Sequence, residues 1–477
     1  VDHMLISSPV PVTTETVSPE TRTEAVATEK VATIERQVLT IVPLNTQQET
    51  ILLAKDATVW VTEETPEFTQ AICESLKQNG LNPEIVSLDA EPESNLAGLI
   101  ILTPANLDQT FMKDSFKLVQ RVSKSLRTTG KSNAAILISV TQMGGQFGLN
   151  GVGDVCPVSG GIAGLIKTAD KEWPEISCKA IDIQNSGDVT KSADHIVSEC
   201  LLEGCLEVGI SNEQRYTLEL STIKIDKTNK TNNTLSSKDV VVVTGGARGV
   251  TAEIALALAE TYKTNLLLLG RSKLPGDEVG WLKGLTSEAE IKKAILAQKG
   301  KGTTPKEFKP RELNVACQKI LAEREIRSNL ERIEATGVKV MYRAVDVQEK
   351  TEVLAAVEEA RNTLGTISGF VHGAGVLADK LIEDKTEEQF SQVYATKAAG
   401  LDALLTATEN DDLKIMVMFS SSTARFGRKG QCDYAIANEV LNKVAQQQAI
   451  LRKDCRVVSV NWGPWDGGMV TPALKKL

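Results

Sequence analysis

The sequence predicts an α/β chain in which two units, each built on a doubly wound parallel sheet, follow one another. Three observations carry this. Short apolar runs alternate with helix-length segments along most of the chain. Several runs are continuous, VVVV at 240–243 and LLLL at 266–269, as suits strands covered on both faces. The alternation breaks once, in the polar stretch Lys224–Lys238 containing KTNKTNNTLSSK, and then restarts.

The 477 residues leave room for about three domains at roughly 150 residues each. A hydrophobic fraction of 42% and a charged fraction of 24% exclude a disordered or fibrous chain, and 4% aromatics imply aliphatic cores. With 53 basic against 62 acidic residues, net −9, a broad nucleic-acid surface is not expected, although a local anion pocket stays open. No apolar run approaches the 18 or so residues of a membrane span. Cysteines number 8, without CxxC spacing, and histidines 3 (His3, His195, His372). Neither a metal site nor a disulfide framework is expected, and a reducing, cytoplasmic compartment fits.

In chain order, Val1-Asp2-His3-Met4 reads as a cloning scar, and residues 1–35 as a Val/Thr/Pro/Glu-rich leader that does not pack. The first unit is placed at 36–225, with strands at Thr58–Thr62, Glu84–Leu88, Gly98–Thr103, Ala134–Val140 and Cys178–Ile183, and helices at Leu107–Leu126 and Gly161–Trp173. A linker at 226–238 follows. The second unit, 239–477, has strands at Val240–Thr244, Leu266–Leu269, Lys339–Tyr342, Gly369–His372, Ile415–Ser420 and Val457–Asn461. Its second and third strands are separated by residues 273–338, too many for one crossover. This stretch is expected to be a largely helical insertion, with one helix near Leu313–Thr336 and a basic, Pro-punctuated centre, KGKGTTPKEFKPRE. The chain stops at Leu477 soon after a Gly-rich turn, and both ends suggest a piece of a longer polypeptide.

The turn after Val240–Thr244 reads Gly245-Gly-Ala-Arg-Gly-Val250 and opens a helix, with Thr251 where a further glycine is expected. Small residues there let backbone N–H groups approach a pyrophosphate at the positive helix end. Such a turn alone is weak evidence, since any tight turn favours glycine. Its place between an apolar strand and a helix strengthens it. The second strand ends in Arg271-Ser272, where an acidic residue would suit a free ribose hydroxyl and a cation suits a 2′-phosphate. With Arg248 this favours NADPH over NADH, the alternative being an ordinary solvated arginine. Asp346-Val347 follows the third strand, where a carboxylate would meet the adenine amino group. Gly373-Ala-Gly375, after His372, lets the backbone pass close to a ribose; His372 itself is given no catalytic role.

Three further residues stand out by their surroundings: Tyr434 in Gly430-Gln-Cys-Asp-Tyr-Ala-Ile-Ala-Asn438, Ser421 at a strand end, and Lys397 in an alanine-rich helix. Singly, each has a bland explanation as a core tyrosine, a loop serine or a solvated lysine. Together with a nucleotide turn they make a coherent set.

Residues 239–477 resemble the ketoreductase domain of modular polyketide and fatty-acid synthases, a branch of the short-chain dehydrogenase/reductase family. The resemblance rests on the TGG-A-RG turn, LLLLGR, HGAGV, NWGPW and the order Lys397, Ser421, Tyr434, Asn438. It implies a catalytic tetrad of those four residues and NADPH as hydride donor. Pro464 and Trp465 would line the nicotinamide side, and Lys397 would lower the Tyr434 pKa and hold the nicotinamide ribose. It implies that the first unit is a truncated, structural Rossmann-like subdomain. Glu63-Glu64 stands there where a phosphate turn should be, and no Tyr-x-x-x-Asn follows Ser139. The insertion, with REIR at 324–327, resembles that of bacterial polyunsaturated-fatty-acid synthases, although related iterative polyketide synthases carry similar insertions. Leu377-Ala378-Asp379 matches, at its last residue, a motif that implies a 3R-hydroxyacyl product. The implied partners are an acyl carrier protein with its β-ketoacyl chain and neighbouring synthase domains. A polyketide ketoreductase and a silent scaffold stand as alternatives.

Overall fold

The computed structural model describes residues 2–6, 36–46, 48–92, 95–108, 110–153, 155–223, 234–299 and 309–465. Expectations for the rest of the leader, most of the polar linker, the centre of the insertion and the C-terminal end lie outside these residues. The strands are Asp2–Ile6 (β1), Arg36–Pro43 (β2), Thr58–Thr62 (β3), Asn82–Val86 (β4), Gly98–Leu102 (β5), Ile136–Thr141 (β6), Ser177–Ile183 (β7), Glu207–Ser211 (β8), Gln214–Ile223 (β9), Val240–Thr244 (β10), Asn265–Gly270 (β11), Val340–Ala344 (β12), Ile367–His372 (β13), Ile415–Ser421 (β14) and Arg456–Trp462 (β15). The helices are Pro66–Gln78 (α1), Phe111–Ser132 (α2), Ile162–Glu172 (α3), Val189–Cys200 (α4), Gly249–Tyr262 (α5), Glu288–Lys299 (α6), Pro310–Glu334 (α7), Lys350–Leu364 (α8), Glu387–Ala407 (α9), Ser422–Phe426 (α10) and Cys432–Leu451 (α11).

The strands form one sheet in the order β12-β11-β10-β13-β14-β15-β1-β2-β9-β8-β7-β6-β5-β3-β4. The second unit supplies its first six strands, all parallel, in the doubly wound order with its reversal between β10 and β13. The first unit repeats this order from β4 to β7, but among the described residues no strand matches β12, so it is truncated at the sheet edge. The apolar runs behave as expected: Val240–Val243 and Leu266–Leu269 are fully buried.

Two antiparallel strands, β9 and β2, close the first unit and carry the sheet toward the second. The sequence reading has no counterpart for them or for the buried β8; β2 and β9 are half-buried, and polar residues interrupt their apolar ones. Residues 2–6, placed in a leader that does not pack, instead pair in parallel with β15 and touch β2. The linker boundary also moves: Leu235 is buried in the core of the second unit, and Ser236 donates its N–H and hydroxyl to Asp239.

The two units share a core. Phe390, Cys432 and Ile436 of the second pack among Phe116, Leu165 and Trp173 of the first, with Phe116 and Phe390 stacked at 4.7 Å. Helix α3 lies backbone-close on α11, since a Cβ on Gly164 would sit 2.5 Å from Ala435 C and Ile436 N. Beneath them runs a buried ionic network. Lys167 meets Glu207 at 2.7 Å and Glu439 at 3.8 Å, Arg425 pairs with Glu207, and Lys443 meets Glu439 at 3.2 Å. The insertion forms the pair α6 and α7, closed by Leu282, Ile291, Ile295 and Cys317.

Candidate active site

At the strand-order reversal lies a cleft of about 590 Å³ whose walls carry the glycine turn at one end and Tyr434 at the other. Open α/β sheets place ligands at this crevice. Gly245 and Gly249 hold φ values of +72° and +57°, a region that favours glycine, and Gly249 is the first residue of α5.

The turn is tied to helix α9 by a directed chain of hydrogen bonds. Thr244 Oγ1 accepts from Ala374 N at 3.1 Å and lies 2.9 Å from His372 Nδ1, while His372 Nε2 lies 2.9 Å from the Lys397 carbonyl. A carbonyl only accepts, so Nε2 carries the proton and Nδ1 accepts from the Thr244 hydroxyl. Burial, then the Lys397 charge, depresses His372 to about 3, which keeps it neutral. His372 is a buried strut between β10 and α9.

Strand β14 delivers Ser421 to the cleft, and its Oγ accepts from Thr423 N at 3.1 Å. Helix α11 delivers Tyr434, 8% exposed, and α9 delivers Lys397. Lys397 Nζ donates to the Phe419 carbonyl at 2.7 Å and lies 5.5 Å from the Tyr434 ring centroid. Burial pushes Lys397 down to about 7 and Tyr434 up to about 12, against the opposing pull of the Asn438 and Ser421 side chains. Lys397 is not among the groups that pull the phenol down in this arrangement. The ammonium is engaged by a carbonyl, and desolvation dominates. Asn438 donates Nδ2 to the Tyr434 carbonyl at 2.8 Å, and its Oδ1 is buried without a hydrogen-bond partner among the described residues.

Of the residues read from sequence, the cleft walls include Gly245, Arg248, Gly249, Val250, Arg271, Val347, Gly373, Ala374, Gly375, Lys397, Ser421, Tyr434, Pro464 and Trp465. Gly246, Ala247, Ser272, Asp346, Asp379 and Asn438 are not part of those walls. Asp346 accepts from Gln348 N at 3.1 Å, and the wall at that point is Val345 and Val347. Ser272 offers its carbonyl to the Tyr342 hydroxyl at 2.6 Å. Asp379 is exposed and held by Gln431 Nε2 at 3.0 Å.

Sequence reasoning missed residues that reach the site from afar. From the first unit, Glu172 accepts from Ile382 N at 2.8 Å and from Gly430 N at 2.7 Å, joining the two loops that flank Asp379 and Tyr434. Lys385, fully buried, meets Asp433 at 2.8 Å beside Tyr434. From the insertion, Glu325 accepts from Gly249 N at 2.7 Å and Arg248 Nε at 2.9 Å, and Asn329 Nδ2 donates to the Ala247 carbonyl at 3.0 Å. The REIR motif marked the right helix, but nothing in spacing alone points from residue 325 to residue 249.

Residues 240–467 match the KR domain family model. The chain is 36% identical over 379 residues to a polyunsaturated fatty acid synthase polypeptide of Thraustochytrium sp. (strain ATCC 26185 / S-3), covering 75% of this chain and 13% of that one. It is 25% identical over 376 residues to polyketide synthase PksN of Bacillus subtilis (strain 168), covering 77% and 6%. The chain therefore spans a small fraction of the length of these curated relatives. Among solved structures, an A1-type ketoreductase aligns with TM-score 0.69 at 18% identity over 92% of this chain and 85% of its own, and the ketoreductase domain of the bacillaene assembly line with TM-score 0.63 at 19% over 92% and 88%. These likenesses speak to the fold. Glycine turn, strand reversal, the Ser421 and Tyr434 walls and the match over 240–467 converge, and the chain belongs to the ketoreductase (KR) domains of type I polyketide and fatty-acid synthases.

Proposed function

We propose that the chain reduces a β-ketoacyl (3-oxoacyl) thioester, carried on an acyl carrier protein, to the 3R-hydroxyacyl thioester with NADPH, within a cytoplasmic polyunsaturated-fatty-acid synthase. The observation that carries this reading is that one cleft joins the glycine turn and two arginines to Ser421, Lys397 and Tyr434. The cofactor fits the donor set: a carboxylate of the chain's own, Glu325, already sits on the Gly249 N–H as an anion would. Arg248 and Arg271 would hold the 2′-phosphate, the Gly249 and Val250 backbone the pyrophosphate, Gly373–Gly375 and Lys397 the riboses, and Pro464 and Trp465 the nicotinamide side. When bound, the cofactor supplies the hydride.

The chain's own residues manage the proton. Tyr434, held at about 12 by burial, keeps its proton throughout the neutral range and releases it only to a stronger base, such as a developing alkoxide. Ser421, its oxygen already occupied by Thr423 N–H, turns its own proton toward the substrate carbonyl. Asn438 Oδ1 is a buried acceptor available to a proton relay. Asp379, tied to Gln431 at the flank of the cleft, is the proposed stereocontrol residue.

The test is loss of NADPH absorbance with trans-1-decalone or an acetoacetyl thioester, followed by chiral chromatography. No turnover by the wild type, or undiminished turnover by Tyr434→Phe, sinks the enzymatic reading. A mainly 3S product overturns the stereochemistry alone. The polyunsaturated-fatty-acid context is supported by the 36% identity to that synthase against 25% to PksN. A preference for functionalised polyketide chains in competition assays would reverse it.

A further inference from the structure

The insertion helix α7 is built into the glycine turn rather than appended beside it. Residues 325, 329 and 332 fall on one helical face. On that face Glu325 takes Gly249 N–H and Arg248, Asn329 takes the Ala247 carbonyl, and Arg332 pairs with Glu253 of α5 at 2.7 Å. The opposite side is anchored by Arg324, which pairs with Glu278 and donates to the Leu282 and Leu285 carbonyls, and by Arg327, which donates to the Gly276 carbonyl at 2.8 Å.

Among these contacts the Glu325 one is different in kind. Asn329 is buried and holds the turn's shape. The Arg248 and Glu325 side chains are 51% and 39% exposed, so their ion pair is solvated and adds little to stability. Yet it neutralises an arginine of the proposed phosphate site, and it occupies an N–H at the positive end of α5 that a helix start leaves for an anion. A phosphate arriving at this end of the cleft therefore meets a carboxylate held in place by a well-anchored helix.

We propose that Glu325 is a displaceable counter-anion through which the insertion sets the affinity of the cleft for the dinucleotide, and most strongly for its 2′-phosphorylated form. The inference rests on the dinucleotide reading above. Binding requires the Glu325 side chain to swing off Gly249 and Arg248, a rotation its half-exposed position allows, while Asn329 keeps the turn in shape.

The experiment is titration of the full chain with NADPH and with NADH, by calorimetry or by cofactor fluorescence. Glu325→Gln keeps the size and an acceptor oxygen but removes the charge. It is expected to tighten NADPH about 5- to 10-fold and NADH by less, since an anion at a helix start is worth up to a factor of about 5 and the freed Arg248 adds to it. The difference should shrink as salt rises from about 0.02 M to about 0.5 M, which loss of a neutral structural contact would not produce. Asn329→Ala, on the same face, is expected to move affinity the other way. Glu325→Ala, read beside its melting temperature, repeats the test should the glutamine retain too much of the contact. Unchanged or weaker NADPH binding in both folded Glu325 variants overturns the proposal. No binding of either nucleotide by any form, wild type included, overturns the dinucleotide reading itself and the proposal with it.

Discussion

The two units turn at the same point, the end of their first parallel strand, and present opposite things there. After β10 the chain runs through glycines into α5 and offers N–H groups and Arg248 to the cleft. After β3 it runs through Glu63 and Glu64 into α1, and the Glu64 carboxylate accepts from the Thr65 N–H and hydroxyl. What the first unit has kept is its packing. Helix α3 stands in the chain where α11 stands in the second unit, between the fifth and sixth strands of the repeated order, and glycine brings it to backbone distance of α11. An α/β unit can thus lack a glycine turn after its first strand yet keep a role through one helix face, because that face packs on the helix bearing Tyr434 and Asn438.

The largest expected effect lies at that tyrosine. Tyr434→Phe removes the proposed proton donor and should lower kcat by about 10²- to 10⁴-fold, with NADPH affinity kept, as read by single-turnover kinetics. Equal loss on altering a residue of the first unit remote from α11 would break the division of labour. Next comes Gly164→Ala, whose new Cβ meets α11 backbone that has no flexible end to give way. The expected cost is about 3 kcal/mol in denaturant unfolding, with kcat falling as α11 shifts. A stable, fully active Gly164→Ala protein would show that the first unit does not position the second.

A pH difference sharpens the contrast. Asp239, at the base of β10, is raised by its burial but lowered further by Ser368, Lys414 and Ser236, for a net value of about 2 against the ordinary 3.8. A depressed carboxyl stabilises the fold above its unfolded pKa and loses that contribution as pH falls through the folded one. Between about pH 4 and pH 2 the second unit should therefore lose about 2 kcal/mol. Asp239→Asn should flatten this limb in acid unfolding followed by circular dichroism. A smaller effect is expected at the proposed phosphate pocket, where Arg271→Ala should weaken NADPH about 10-fold and NADH little.

How far the sequence reaches into this molecule follows from the range of the interactions. Most parallel strands declare themselves locally, so β3 and β10 match residue for residue and the other expected strands lie within a few residues. The fully buried β8, parallel to β7, is not among those expected, since only five residues form it, a glutamate and a glycine among them. The half-buried β2 and β9 carry no such run, and their pairing across most of the first unit is visible only once the sheet is assembled. Ser421, Tyr434 and Lys397, singled out by their surroundings and joined as a set by the family resemblance, do line one cleft. Glu325, Glu172 and Lys385 could not be read, since each acts across a distance that no periodicity encodes. The protonation of Tyr434 escapes the sequence for the same reason: what dominates is burial, a property of the finished fold.

The smallest expected effect is none at all, and it tests the comparison most directly. If the carboxylates after β3 stand for a lost phosphate turn, the full chain binds one NADPH, and calorimetry should return a stoichiometry of one. Replacing both with Glu63→Ser and Glu64→Ser removes the repulsion but supplies neither the glycine backbone nor a cation comparable to Arg248 and Arg271. Such a turn still lacks the close approach of N–H groups that phosphate binding needs. The stoichiometry should stay at one. A second equivalent appearing in the double variant would mean that the first unit retains a dinucleotide cleft held shut by charge alone, and that its divergence from the second is electrostatic rather than structural.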